Sequence, residues 1–256
     1  MKSSFLTIGV LLLLGLALDV SRVAAQEPMN PHQVLEQASV HNRYTFLIFY
    51  REDSAATRAM AQSVNGTIAQ RPGAASATYV LTSDPGNRPL VDRFGLGRAP
   101  MPLTVAIAPN GAMTGIFPTK VTDEQLAGSF VTPSMAGCMK AMQSGKLVLL
   151  CVQNSPVDVL PQGVRDFQAD PQFATRVAVV PLPVAEPSEA PLLKELQIDV
   201  QQPGHATTVF MAPPGVLVGK FSASTSKDEL ATALHKAGKC CDDPHCKHNK
   251  LAPAKK

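Results

Sequence analysis

The chain has 256 residues, long enough for two modest hydrophobic cores, yet it holds no tryptophan and only 5% aromatic residues. Its 23 lysines and arginines against 20 aspartates and glutamates give a formal charge of +3, which selects neither a nucleic acid nor a membrane surface as partner. Five cysteines are an odd number, so a fully paired disulfide framework is excluded, and at least one thiol stays free, binds metal or pairs with another molecule.

In chain order, Lys2, an apolar run from Phe5 to Leu18 and Val23-Ala24-Ala25 before Gln26 read as a secretory signal peptide over residues 1–25. The run is shorter than the roughly 20 residues needed to cross a bilayer. The mature chain is therefore expected to be secreted or periplasmic, with no membrane span after cleavage. Removing the leader takes away Lys2, Asp19 and Arg22 and leaves a net charge of +2.

Pro31 to Asn42 carries Val34, Leu35 and Ala38 at helical spacing, and Thr45 to Tyr50 is the continuous apolar run of a strand buried on both faces. Ala55 to Gln70 permits a helix that stops at Arg71-Pro72-Gly73. Ala77 to Leu81 predicts a second buried strand, Asn87 to Phe94 a short helix and Leu103 to Ala108 a third strand. Pro109-Asn110-Gly111 predicts a hairpin returning through Met113 to Phe117. A last helix opens at Thr122, with Gln125 in the capping-box position.

The same pattern then recurs. Gly111, Gly115, Phe117 and Leu126 reappear as Gly215, Gly219, Phe221 and Leu230 at an offset of 104, while Pro89-Leu90 matches Pro191-Leu192 at 102 and Ser54 matches Ser155 at 101. A drifting offset is what small loop insertions produce, and a period near a hundred residues suits a self-sufficient domain. In the second copy, Lys146 to Val152 predicts the central strand, Leu192 to Ile198 the short helix and Pro213-Pro214-Gly215 the hairpin. The expected organisation is a leader over 1–25, domains over 26–133 and 134–238, and a tail over 239–256.

Strands alternating with helices and ending in a hairpin plus helix describe an α/β fold, a mixed sheet with helices on both faces. With Phe49-Tyr50-Arg51-Glu52-Asp53 ending the first central strand, then Phe94-Gly95-Leu96, Met101-Pro102-Leu103, the Asn110-Gly111 hairpin and Gly115 in order, the chain resembles the thioredoxin-like fold family in two tandem copies. The resemblance implies a redox pair, Cys-x-x-Cys, at the start of the helix after each central strand. Here those positions read Ser54-Ala55-Ala56-Thr57 and Ser155-Pro156-Val157-Asp158, so neither copy can exchange a disulfide there. Ser54 and Ser155 are expected to cap their helices, with Pro156 at a first helical position. The resemblance also places a cis-proline at Pro102, beside a backbone edge open to an extended peptide; the second copy has Ala206 in its place.

Met135, Cys138, Met139 and Met142 fall at i, i+3, i+4 and i+7, the spacing of a core-facing stripe rather than a copper box, and Cys151 lies within a buried strand. His41 and His205 stand alone, and Asn65-Gly66-Thr67 fits a glycosylation acceptor. The tail gathers Cys240, Cys241, His245, Cys246 and His248 among lysines, soft donors that could hold zinc or copper or else cross-link and oxidise.

Three functions remain open at this level. The first is a non-enzymatic exported scaffold that binds a protein or peptide, needing no cofactor. The second is a metal-binding or metal-delivery protein acting through the tail. The third, ranked last, is a thiol–disulfide oxidoreductase using the tail cysteines.

Overall fold

A computed structural model describes residues 31–154, 159–202 and 207–238. In the first half, α1 (Pro31–Val40) leads into β1 (Tyr44–Tyr50), α2 (Ala55–Ala69), β2 (Ala75–Leu81), α3 (Arg88–Arg93), β3 (Leu103–Ile107), β4 (Met113–Pro118) and α4 (Asp123–Gly128). The second half repeats the series as α5 (Pro133–Gln143), β5 (Leu147–Gln153), α6 (Gln162–Ala169), β6 (Val177–Pro183), α7 (Ala190–Glu195), β7 (Thr208–Ala212), β8 (Val216–Phe221) and α8 (Lys227–Gly238). Most elements lie within a residue or two of their predicted bounds. The short helix of the second half instead begins at Ala190 and ends before Ile198, which still packs into the core.

Each half builds one four-stranded sheet, in the order β2-β1-β3-β4 and β6-β5-β7-β8. The two leading strands of each are parallel, as a helical crossover demands, and the hairpin strands are antiparallel. The continuous apolar runs of β1 and β5 follow from helices on both sheet faces. Along β1, Leu47 and Phe49 point into a core with Val80, Leu90 and Val105, while Phe46 and Ile48 point to the other face, against Val64 and Leu126. Leu150 and Leu149 divide in the same way in the second sheet.

The repeated glycines now have a physical reason. A Cβ on Gly115 would meet the Phe117 ring at 2.4 Å, and one on Gly219 would meet the Phe221 ring at 2.8 Å, so each ring lies over a bare backbone on the edge strand. Both hairpins carry a register shift at equivalent places, Ala106/Ile107 and Phe210/Met211. Both closing helices open on reciprocal caps: Thr122 with Gln125 in α4, and Ser226 with Glu229 in α8.

One expected cap is corrected. The N-cap of α6 is Pro161, so Ser155 does not cap this helix, and Ser155 itself lies outside the described residues together with Pro156 and Asp158. A helix opening at Pro156 would carry Pro161 in its interior, where proline lacks the N–H and clashes with the preceding turn. The helix therefore opens after Pro161 and has 8 residues against the 15 of α2. It is also tightly seated, since a Cβ on Gly163 would meet the Thr225 carbonyl oxygen at 2.0 Å.

α5 links the halves. Its first turn belongs to the second sheet: the Ser134 N–H donates to the buried Glu189 carboxylate at 2.8 Å, and the Ser134 hydroxyl donates to the Pro181 carbonyl at 2.7 Å. Its far end meets the first hairpin, where the Gln143 side chain accepts from the Met113 N–H at 3.0 Å and donates to the Met113 carbonyl at 2.6 Å. Of the predicted stripe, Met135, Cys138 and Met142 pack into the second core, whereas Met139 turns to Ala108 and Ala112 of the first half. Among the described residues no helix is long and apolar enough to cross a membrane.

Candidate functional site

The place where a redox pair would stand in the first half is formed by the end of β1 and the start of α2. Ser54 has extended backbone (φ −93°, ψ 167°) and its hydroxyl accepts from the Thr57 N–H at 3.2 Å, the geometry of an N-cap. Thr57 is buried, and its hydroxyl donates to the Glu52 carbonyl at 3.0 Å. The two hydroxyl oxygens lie 3.1 Å apart. Since Thr57 has spent its only hydroxyl proton on a carbonyl, the proton between the pair belongs to Ser54. The Ser54 oxygen is thus engaged as donor to Thr57 Oγ1 and as acceptor from the Thr57 amide.

Two cavities flank this turn. One, of about 510 Å³, is lined by Arg51, Thr82, Ser83 and Met101 over a floor of Val91 and Leu96. The other, of about 490 Å³, lies between Tyr50, Thr57, Asn65 and Tyr79, and there the Asn65 amide donates to the Tyr79 hydroxyl at 3.3 Å. No histidine lines either cavity. A nucleophilic serine needs a base within hydrogen-bond reach, and the groups that Ser54 touches are an amide N–H and a hydroxyl.

The Met101–Pro102 peptide is cis, and the Pro102 carbonyl accepts from the Thr119 N–H at 2.7 Å. Met101, half-buried, shares the larger cavity with Arg51, three residues before Ser54. The structure therefore brings Arg51 and Met101 to one cavity beside the Ser54–Thr57 cap. The other sequence candidates, Ala206, Cys240, Cys241, His245, Cys246 and His248, lie outside the described residues. Arg51 and the cavity it lines were missed by sequence reasoning, which had only its place after the apolar strand as a signal.

The described thiols are packing groups. Burial, with the Glu189 carboxylate acting in the same direction, pushes the Cys138 thiol up to about 12. Burial pushes Cys151 up to about 11, partly offset by its contact with the Thr208 hydroxyl. At neutral pH both are thiols, not thiolates, and neither is a nucleophile. Among the described residues no group of three histidine, cysteine, aspartate or glutamate side chains converges as metal ligands would.

No family model matches the chain, and no curated protein does. Solved structures do resemble it. The first two thioredoxin domains of Saccharomyces cerevisiae Eps1p are 14% identical, with 82% of this chain and 97% of that one covered and a TM-score of 0.30. The N-terminal N/C domain of the alkylhydroperoxide reductase AhpF from Enterococcus faecalis is 15% identical, covering 80% and 99%, with a TM-score of 0.30. The zinc-bound form of human ERp44 is 11% identical, covering 84% of this chain and 57% of that one, with a TM-score of 0.35. At such identities and scores the fold is argued from strand order, register and crossover, which agree between the two sheets. On those grounds the chain is an α/β protein of two thioredoxin-like folds in tandem, with a hydrogen-bonded serine–threonine pair where the redox cysteines of the first would stand.

Proposed function

We propose that this is an exported, non-catalytic tandem thioredoxin-like protein that binds an extended segment of another protein in the first unit. The reading rests on the Ser54–Thr57 pair: two hydroxyls 3.1 Å apart close the helix cap and leave no two-electron carrier at the turn, while a cavity of about 510 Å³ remains beside it. Chemistry is removed and a binding surface is kept. Residues 1–25 serve as the leader, so the working compartment is the periplasm or the exterior, and the mature chain begins at Gln26.

The test is binding of the chain from residue 26 to a permanently unfolded, cysteine-alkylated client, followed by calorimetry. Binding is expected, and alkylating the protein's own thiols leaves it unchanged. Absence of binding to that client, or thiol-dependent reduction of a second, disulfide-containing client, overturns the reading.

The donor set of the tail supports a second reading. Cys240, Cys241, His245, Cys246 and His248 fall within nine positions and are the ligand types that zinc and cuprous copper favour. A metal retained by residues 26–256 and lost on deleting 240–256, read by native mass, would make the tail the working part. Equal metal content of the two chains would exclude it.

A further inference from the structure

We infer that the first unit selects acidic segments, with Arg51 as the anchor for an aspartate or glutamate carboxylate; this rests on the peptide-binding reading above. A protein that cannot trap its client through a mixed disulfide has only non-covalent contacts to hold it. The cavity beside the cap supplies two kinds of contact, an apolar floor of Val91 and Leu96, which are 8% and 5% exposed, and a charged rim of Arg51, Arg88 and Asp92.

Most charges near the rim are already matched. Arg88 donates through Nε to both carboxylate oxygens of Asp92 at 3.0 and 3.1 Å, and beside the second cavity Arg58 pairs with Asp53 at 3.0 Å. Arg51 has no ion pair among the described residues, so the rim keeps one unmatched guanidinium. A guanidinium offers a planar fork of donors that fits a carboxylate bidentately. An extended chain that lays an apolar side chain on Val91 and Leu96 would bring its neighbouring acidic side chain to that fork.

The second unit is an internal contrast. The Thr82 N–H donates to the Tyr50 carbonyl, and the Val184 N–H donates to the Gln153 carbonyl, both at 2.9 Å, which makes Asn154 the counterpart of Arg51. In the same frame Ala190 replaces Arg88 and Lys194 replaces Asp92, the helices α3 and α7 starting 102 residues apart. Among the described residues the guanidinium at the end of the central strand belongs to the first unit, while the second carries asparagine there and places its cation, Lys194, on the short helix instead.

The experiment is isothermal titration of residues 26–256 with three acetylated, amidated ten-residue peptides that differ only in placing Asp, Asn or Lys beside a central Leu. Arg51 is exposed and a solvent-exposed ion pair changes affinity only a few-fold, so the Asp peptide is expected to bind roughly two- to fivefold tighter than the Asn peptide. Arg51→Ala should erase that difference and Arg51→Glu should invert it toward Lys. Raising the salt should shrink it. Equal binding of all three peptides overturns the acidic selectivity and leaves peptide binding standing. If none of the three binds, both fall. An Asp preference that survives Arg51→Ala overturns the assignment to Arg51.

Discussion

At the scale of single residues, the Ser54–Thr57 pair is a cap with the outline of a redox turn. Its oxygens sit 3.1 Å apart at the first turn of a 15-residue helix, with the outer hydroxyl half-buried and the inner one buried. Sulfurs in the same places would lie within reach of each other, and the helix amino terminus would favour a thiolate. The double variant Ser54→Cys/Thr57→Cys is therefore expected to form an internal disulfide in air that dithiothreitol opens, read by peptide mapping after differential alkylation. Two thiols that both remain alkylatable would mean that the turn has drifted from the geometry that exchange requires. That the positions hold hydroxyls was legible in the sequence. That the Thr57 proton goes to the Glu52 carbonyl was not, because it depends on a backbone oxygen five residues earlier folding back over the helix start.

At the scale of elements, the strands were legible because both sheet faces are covered: β1 and β5 are unbroken apolar runs with no solvent face to interrupt them. The caps of α4 and α8 were legible to different degrees. Thr122 with Gln125 stood out, and the corresponding Ser226 with Glu229 differs from it by carrying a charge. Hydrogen bonds from the Ser226 N–H and hydroxyl hold the Glu229 carboxyl below the ordinary glutamate range. A carboxyl whose folded value is depressed stabilises the fold above its unfolded pKa of about 4.3, and that contribution is lost as the pH falls through the lower folded value. Glu229→Gln keeps an acceptor for the Ser226 N–H, as Gln125 does in α4, and removes the titration. The melting-temperature difference between the parent and Glu229→Gln should thus narrow on going from about pH 7 to about pH 3. Parallel curves would show that the cap does not report on folding. Asp170, held low by its hydrogen bond from Lys227, acts in the same direction and will leave some acid sensitivity in the variant. α6 was misplaced for a nameable reason, since the offset of 101 set Ser155 on Ser54 while the proline at 161 governs where the helix can begin.

At the scale of the whole molecule, the sequence divides into two copies, but the contacts that join them are not repeated and so gave no signal. They gather on α5. The Lys140 amine donates to the Gly111 carbonyl at 3.2 Å and Gln143 makes both of its bonds to Met113, while within the first unit the Tyr44 hydroxyl holds the segment that leads into α5 by donating to the Val131 carbonyl at 2.8 Å. Around them Met139, Ala136, Ala108 and Ala112 form a small apolar contact. Since the first turn of α5 is tied to Glu189 and Pro181, one helix is bonded to both sheets, and loosening either sheet strains the anchor of the other. Interfaces between domains of one chain are commonly small and polar, and the default is relative motion unless they are reinforced. A neutral hydrogen bond contributes about 0.5–1.5 kcal/mol net, so the two removed by Gln143→Ala should take about 1–3 kcal/mol from the coupling. The parent is expected to melt in a single calorimetric transition and Gln143→Ala in two, with the Cys138 and Cys151 thiols, both in the second unit, becoming reactive in only one of them. If the parent already shows two transitions, α5 is a tether rather than a coupler, and a client held in the first unit would leave the second unperturbed.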